Sequence, residues 1–144
     1  MIAIDTNLLV YAHREDTEWF EPASECLRRL AEGSDPWALA WSCVHEFLAV
    51  VTHPRIFLPP TPLDQALDQV VAWMESPSLV MLGEARGYWD VLKHVALGGR
   101  IAGPLVHDAR VAAVCLHHGV RELWTADRDF GRFPALKVRN PLVP

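Results

Sequence analysis

Short apolar runs alternate with longer amphipathic segments along this chain of 144 residues, and this alternation limits the possible folds more than any other feature. We predict strands at Met1–Ile4, Trp37–Trp41, Leu79–Leu82, Val120–Thr125 and Leu136–Arg139. We predict helices at Thr17–Glu32, Ser42–His53, Pro62–Glu75, Glu84–Leu97 and Ala109–His117. Strands that alternate with helices form right-handed crossover units, and fully apolar strands are typical of a parallel sheet covered on both faces. The sequence therefore predicts one domain, residues 1–144, with a three-layer α/β/α sandwich fold and a mainly parallel central sheet.

Three of the predicted helices begin beside residues that favour capping. Ser42 is predicted to cap the helix that follows the second apolar run. Thr61 is predicted to cap the next helix, with Pro62 at the first helical position, where a missing N–H is tolerated. Asp108 stands where the cap of the alanine-rich last helix is expected, and Gly119 ends that helix.

Composition and charge exclude several classes of protein. No apolar run approaches the roughly 20 residues that a membrane-spanning helix needs, so no membrane partner is expected. The chain has no basic start and carries Asp5 in its first apolar stretch, unlike a secretory signal. Three cysteines without a C-x-x-C spacing favour a reducing compartment, the cytoplasm, over a disulfide framework. The net charge of -5 is unusual for a nucleic-acid binder unless the carboxylates are clustered to hold metal ions.

Four acids differ from the remainder, most of which lie on solvated helix faces. Asp5 directly follows the first apolar run, and Asp127 follows the fourth. Glu46 lies in the first turn of a predicted helix between apolar neighbours, where burial of a carboxylate without a partner is costly. Asp108 opens the last helix. Because ligands of an open parallel sheet bind outside the carboxyl ends of its strands, we predict that all four share one cleft.

Each of these acids also has an ordinary structural explanation. Asp108 can be only an N-cap, and Asp5 and Asp127 can belong to polar turns. Taken together, however, converging carboxylates without a matching lysine repel one another and raise one another's pKa values unless a cation lies between them. Mg2+ and Mn2+ prefer such oxygen ligands. The pattern therefore favours a hydrated Mg2+ (or Mn2+) site.

These residues resemble the signature of the PIN domain, and more narrowly that of the VapC-type toxins of bacterial toxin–antitoxin pairs. The match consists of Asp5-Thr6-Asn7 behind a strand, Glu46 in a helix, His107-Asp108-Ala109 opening a helix, and Thr125-Ala126-Asp127-Arg128-Asp129-Phe130 behind a strand. The closing Arg132-Phe133-Pro134 is also typical of the family. The resemblance covers essentially the whole chain, and no acidic position departs from it.

The resemblance implies an α/β/α fold and Mg2+- or Mn2+-dependent endoribonuclease activity. The catalytic and metal-binding acids that it implies are Asp5, Glu46, Asp108 and Asp127, and the supporting residues are Thr6, Asn7, Thr125 and Asp129. We expect the three aspartates among the four acids to be metal ligands, and Glu46 to be a ligand or the general base that orients the attacking water. The resemblance further implies an RNA substrate, a small cognate antitoxin protein that occupies the active-site cleft, and a homodimer.

Contacts to RNA phosphates are expected from basic residues near these motifs. The candidates are Arg14, Arg100, Arg110, Arg128 and Arg132, each of which can equally serve solubility or ion pairing. The sequence shows no aromatic-rich platform, which favours recognition through metal and phosphate over the reading of bases.

Three other functions remain open. The seven histidines suggest a zinc hydrolase, but His45-Glu46 does not continue as H-E-x-x-H, because Ala49 holds the second histidine position. Another Mg2+-dependent phosphoryl hydrolase, of the phosphatase or response-regulator type, needs a lysine that reaches the cleft, and Lys137 lies in a predicted strand. A PIN-like module that binds RNA or protein without cleavage usually lacks one of the acids, and none is missing.

Overall fold

The central sheet has five strands in the computed structural model, which describes all 144 residues. The strands are β1 (Ile2–Ile4), β2 (Trp37–Ala40), β3 (Leu79–Leu82), β4 (Glu122–Trp124) and β5 (Val138–Arg139). Their order across the sheet is β3-β2-β1-β4-β5, and every neighbouring pair is parallel. The predicted parallel sheet is confirmed, although most strands are shorter than the apolar runs that predict them.

Six helices cover the sheet: α1 (Thr6–His13), α2 (Phe20–Glu32), α3 (Trp41–Val51), α4 (Leu63–Met74), α5 (Tyr88–Gly99) and α6 (Leu105–His117). None of them combines the length and the apolar character needed to cross a lipid bilayer. α1 packs against α2 and α3, α3 packs against α4, and α5 packs against α6. The strand order reverses between β3 and β4, so right-handed crossovers place α1–α4 on one face and α5 and α6 on the other. This arrangement is the predicted three-layer sandwich.

The core surrounds the middle of the sheet. All four residues of β2 are buried, as expected for a strand covered on both faces. Trp37 of this strand is fully buried, and its indole N–H donates to the Ser76 hydroxyl at 3.0 Å. Ala109, Ala112 and Ala113 of α6 are also fully buried, so this helix lies close to its neighbours. The central strands, and with them their carboxyl ends, are held by dense packing.

The helix α1 is absent from our sequence-based assignment. Its N-cap is Asp5, whose carboxylate accepts a hydrogen bond from the Thr6 N–H at 2.8 Å. The alternative explanation of Asp5 as a residue of a polar turn is therefore wrong. The helix escapes detection because it has only eight residues and its apolar positions, Leu8, Leu9 and Val10, are consecutive rather than spaced along one face.

The starts of α3 and α5 differ from the prediction because of the backbone that precedes them, and α2 begins at Phe20 instead of Thr17. α3 begins at Trp41 without a loop after β2, so Ser42 lies in its first turn and is not the predicted cap. α5 begins at Tyr88, after Gly87 adopts a left-handed conformation with φ of 91°. The segment 84–87 is consequently a loop and not the start of the predicted helix 84–97.

The caps predicted at Thr61 and Asp108 are also wrong. Proline occupies the cap position of both α4 and α6, since its fixed φ suits a helix start. The Thr61 hydroxyl instead accepts a hydrogen bond from Arg14 at 3.2 Å. α6 begins at Leu105, so Asp108 lies in the first turn and makes no capping hydrogen bond. Its carboxylate is free for another role.

Candidate functional site

Asp5 lies at the carboxyl end of β1 with both carboxylate oxygens held by hydrogen bonds. Oδ1 accepts from the Thr6 N–H at 2.8 Å, and Oδ2 accepts from the Thr125 hydroxyl at 2.7 Å and the Asn7 amide at 3.1 Å. Burial raises the pKa of Asp5, and the hydrogen bonds from Thr125 and Thr6 oppose that rise. The fold therefore gives this carboxylate a single orientation.

Asn7 and Thr125 join the ends of β1 and β4. The Asn7 amide donates to the Thr125 hydroxyl at 3.0 Å, and its carbonyl accepts from the Ala126 N–H at 3.1 Å. The Thr125 hydroxyl also accepts from the Asp127 N–H at 3.0 Å. Because β1 and β4 are neighbours in the sheet, this network brings Asp127 beside Asp5.

Glu46 reaches the same place from α3. Its carboxylate accepts a hydrogen bond from the Thr6 hydroxyl at 3.1 Å. Glu46 is exposed and lies in the second turn of the helix, so the expectation of a first-turn carboxylate buried between apolar neighbours is wrong. Val44 and Phe47 are buried in the core, whereas Glu46 projects from the solvent side of the same helix.

Asp108, Asp127 and Asp129 form a compact group in which one oxygen from each residue lies within 4.8 Å of the others. Asp127 Oδ1 accepts a hydrogen bond from the Asp129 N–H at 2.8 Å, which caps the short 3-10 turn Arg128–Arg132. Burial raises the pKa of Asp108 to about 6, with further contributions from the negative charges of the surrounding acids. Those contributing acids are Asp127, Asp5, Asp129 and Glu46.

The acids Asp5, Glu46, Asp108 and Asp127 line one cleft of about 370 Å3, which we call the acidic cleft. No basic side chain lines it, and the ion pairs of the protein engage other carboxylates. Close carboxylates without compensating charge are stabilised by a divalent cation, and donors that are all oxygen suit Mg2+ or Mn2+ better than zinc. The residues present therefore fit the metal expected from the sequence. No histidine lines the acidic cleft, so this cleft offers no zinc-type ligand set.

Part of the acidic cleft is apolar, which the sequence patterns do not predict. This apolar lining consists of Val10 and Tyr11 of α1, Val50 of α3, and Ile56 and Phe57 of the following loop. This lining can be predicted from the sequence only when α1 is recognised as a helix. Once a helix begins at Thr6, residues 7, 10 and 11 share one face, which places apolar side chains next to Asn7.

The five candidate arginines fall into two groups. Arg110 and Arg128 each lie within two residues of an acid of the cleft. Arg14 is largely buried, with its guanidinium in an ion pair at 2.6 Å and stacked over an aromatic ring at 4.3 Å. Arg100 directly follows α5, and Arg132 lies beside the end of the same helix. None of the five arginines lines the acidic cleft.

Solved structures share this fold. VapBC2 from Rickettsia felis, crystallised with a fragment of promoter DNA, has a TM-score of 0.71 at 17% identity and covers 96% of this chain and 98% of its own. VapC20 of Mycobacterium tuberculosis, described as a sarcin-ricin loop cleaving toxin, has a TM-score of 0.67 at 12% identity, with 91% and 93% covered. At these identities the likeness is one of fold.

Sequence comparison then identifies the family. The model described as PIN domain matches residues 2–136. The chain is 34% identical over 142 residues to Ribonuclease VapC43 of Mycobacterium tuberculosis, covering 99% of this chain and 96% of that protein. It is 31% identical over 137 residues to Ribonuclease VapC48 of the same species, with 95% and 94% covered. The chain therefore belongs to the PIN-domain family and, within it, to the VapC proteins.

Proposed function

We propose that the protein is a metal-dependent endoribonuclease that acts as the toxin of a toxin–antitoxin pair. The observation that carries this proposal is the convergence of Asp5, Glu46, Asp108 and Asp127 on one cleft without a balancing cationic side chain. The curated relatives VapC43 and VapC48 are named ribonucleases. A solved structure of the same fold, with a TM-score of 0.63, is a toxin–antitoxin complex from Klebsiella pneumoniae.

Asp5, Asp108 and Asp127 would hold Mg2+ or Mn2+, directly or through water. Such a dication lowers the pKa of bound water and stabilises charge on phosphoryl oxygens. Thr125 and Asn7 keep the carboxylate of Asp5 in one orientation through their hydrogen bonds. Outer residues of this kind raise metal affinity because the ligand does not have to be ordered on binding.

Glu46 is proposed as a further ligand or as the general base. Its carboxylate is exposed, and the Thr6 hydroxyl is its hydrogen-bond donor. It can therefore turn towards a water molecule and accept its proton. Asp129, which is exposed beside Asp108 and Asp127, is a supporting acid that adds negative charge.

RNA is the proposed substrate, with Arg110 and Arg128 next to the acidic cleft available for phosphates. The antitoxin is proposed to cover the cleft, where the apolar lining offers it a surface to bury. We also propose a homodimer. Leu63, Leu67 and Val71 form an exposed apolar row on α4 that is available for a contact between subunits.

The whole chain, residues 1–144, is proposed to act as one domain in the cytoplasm. The match to the family model ends at residue 136, but β5 follows it and pairs with β4 in the same sheet. All three cysteines are free thiols, which a reducing compartment preserves.

The test is cleavage-site mapping on total RNA incubated with the purified protein in Mg2+ or Mn2+. We expect discrete new RNA ends, which EDTA abolishes. Asp5→Asn should lower the cleavage rate by about 10^3-fold or more, because a metal ligand supports several kcal/mol of charge stabilisation. Asp35→Asn, the same change at an exposed acid outside the acidic cleft, should cleave normally. RNA that is bound but never cut, or ends that persist undiminished with Asp5→Asn, would contradict the proposal.

A further inference from the structure

A second hollow adjoins the acidic cleft at Glu46. It has a volume of about 280 Å3 and is lined by Ser42 and Glu46 of α3 and by His107, Arg110 and Val111 of α6. We call it the Ser42 pocket. Glu46 lines both hollows. His107 and Arg110 of the pocket lie on either side of Asp108 in the sequence of α6, and Asp108 lines the acidic cleft. A polymer with one phosphate at the acidic cleft would therefore place a neighbouring nucleotide at this pocket.

Two side chains of the Ser42 pocket have hydrogen-bonding capacity that the protein does not use. The Ser42 hydroxyl is shielded from water and has no hydrogen-bond partner within the protein, which is uncommon for a polar atom of a folded chain. Arg110 donates to Glu84 through Nε alone, which leaves both terminal guanidinium nitrogens without a protein acceptor. Such nitrogens bind phosphate through charge-assisted hydrogen bonds.

Two exposed rings lie on α3, the helix that provides Ser42 and Glu46 to this pocket. Trp41 and His45 are one turn apart on α3, with ring centroids 6.4 Å apart and planes inclined by 33°. Trp41 is 41% exposed, although it is a large apolar side chain. Its ring lies on Gly83, where an added Cβ would be 3.5 Å from Trp41 Cδ1. The next residue, Glu84, is the ion-pair partner of Arg110, which connects the Trp41 ring, through this short segment, to a residue that lines the Ser42 pocket. The protein thus has a small aromatic surface that the sequence analysis does not reveal.

We propose that the Ser42 pocket and the rings of Trp41 and His45 bind one unpaired nucleotide next to the scissile phosphate of RNA. The base stacks on Trp41, and a phosphate of that nucleotide binds the free nitrogens of Arg110. This proposal rests on the proposed ribonuclease function and adds to it a site for the nucleotide next to the cleaved bond, whose base must be unpaired to reach the rings. Stacking tolerates every base, so the site selects unpaired nucleotides and not a sequence.

The test is binding of fluorescein-labelled oligoadenylate, measured by fluorescence anisotropy in Ca2+, with the RNA checked for integrity afterwards. Trp41→Ala should bind about 10-fold more weakly, the size expected for one lost stacking contact, whereas Trp41→Phe keeps a ring and most of the affinity. Trp89→Ala is the matched control, because Trp89 is 67% exposed and lies outside both hollows. Binding of Trp41→Ala equal to that of the unmodified protein, or an equal loss in Trp89→Ala, would overturn the proposal.

A cleavage measurement in Mg2+ separates failure of this site from failure of the ribonuclease function. Trp41→Ala should lower kcat/KM on single-stranded RNA about 10-fold. On RNA that has an abasic nucleotide next to the cleaved bond, Trp41→Ala and the unmodified protein should have the same kcat/KM. If the unmodified protein cuts RNA and Trp41→Ala cuts it equally well, the nucleotide site is wrong. If oligoadenylate binding depends on Trp41 but no RNA is cut, the site stands and the ribonuclease function is wrong.

Discussion

Asp5 and Asp108 line the same cleft, but they differ in how deeply they are buried and in the hydrogen bonds that they accept. Asp5 is buried and accepts hydrogen bonds from Thr6, Asn7 and Thr125. Asp108 is partly exposed, accepts no hydrogen bond, and faces other acids at close range. Burial and the charges of those acids raise the pKa of Asp108 to about 6.

The difference shows that the fold alone fixes one side of the site, whereas the other side depends on a bound cation. The Asp5 side is built by the fold, because strand ends, a helix cap and an amide bridge fix it without any metal. On the other side of the site, burial and the charges of neighbouring acids disfavour the ionised form of Asp108, which a bound cation would stabilise. The fixed carboxylate of Asp5 therefore orients the metal ion. The stability of the Asp108 side is the part that depends most on a bound cation.

The largest expected effect comes from comparing Asp5→Asn with Asp108→Asn. Each should lower kcat/KM by about 10^3-fold or more, since each removes a proposed metal ligand. In EDTA, Asp108→Asn should unfold at a higher temperature than the unmodified protein, because a partly buried charge that is also repelled by neighbouring acids is gone. Asp5→Asn should unfold at a slightly lower temperature, because the Asn7 and Thr125 donors lose their acceptor. A raised unfolding temperature for Asp5→Asn would place that residue with the repelled acids and remove the contrast.

Thr125→Val should give the next largest effect. Valine keeps the shape but removes the hydroxyl that binds Asp5, Asn7 and the Asp127 N–H. We expect metal affinity and kcat to fall about 10- to 100-fold, as for other residues that orient a metal ligand. Thr52→Val is the control, because its hydroxyl binds only the Leu48 carbonyl at the end of α3. Titration with Mn2+ checks this, and equal metal affinity in the two variants would contradict it.

The pH dependence of stability tests whether the pKa of Asp108 is raised in the folded protein. The pKa of Asp108 is about 6 in the folded protein and 3.8 for an ordinary aspartate, so between these values the metal-free folded protein binds more protons than the unfolded chain. The contribution of this residue to stability therefore falls as the pH rises from about 4 to about 6 and stays low above it. Because the carboxyl is partly exposed, we expect no more than about 1 kcal/mol.

Urea unfolding in EDTA at pH values of about 4 and about 7 measures this effect as the difference between the unmodified protein and Asp108→Asn. The variant should gain relative stability at the higher pH, and saturating Mg2+ should reduce the gain. A difference that is the same at both pH values would show that the pKa of Asp108 is not raised in the folded protein.

Asp129→Asn should have the smallest effect of the acids. Its side chain is exposed. Its main-chain N–H donates a hydrogen bond to the Asp127 carboxylate, and the substitution retains this bond. We expect a loss of metal affinity of at most about 10-fold, because only one outer charge is removed. A loss as large as that of Asp108→Asn, measured by the same Mn2+ titration, would make Asp129 a direct ligand.

Sequence patterns predicted the sheet and the place of the acids because both depend on the alternation of apolar runs with helices. Asp5 and Asp127 follow buried strands, and parallel strands end at one edge of the sheet. The roles of Ser42, Thr61 and Asp108 as caps were predicted wrongly, because a cap depends on where the backbone turns, and proline or a direct strand-to-helix junction decided that here.

Other features of the site depend on contacts between residues far apart in the chain. The bridge from Asn7 to Thr125 spans more than a hundred residues, and no local pattern indicates it. The pair of Trp41 and His45 becomes visible only when α3 is known to begin at Trp41, since an apolar run gives no sign of which tryptophan remains exposed.

The central claim is that distant acids gather to hold one or more divalent cations. Anomalous scattering from crystals soaked in Mn2+ tests it most directly. We predict a peak in the acidic cleft at roughly 2.1 Å from oxygens of Asp5, Asp108 or Asp127, and its loss in crystals of Asp108→Asn. A cleft without a peak at saturating Mn2+, or a peak bound only by histidines elsewhere, would contradict the account.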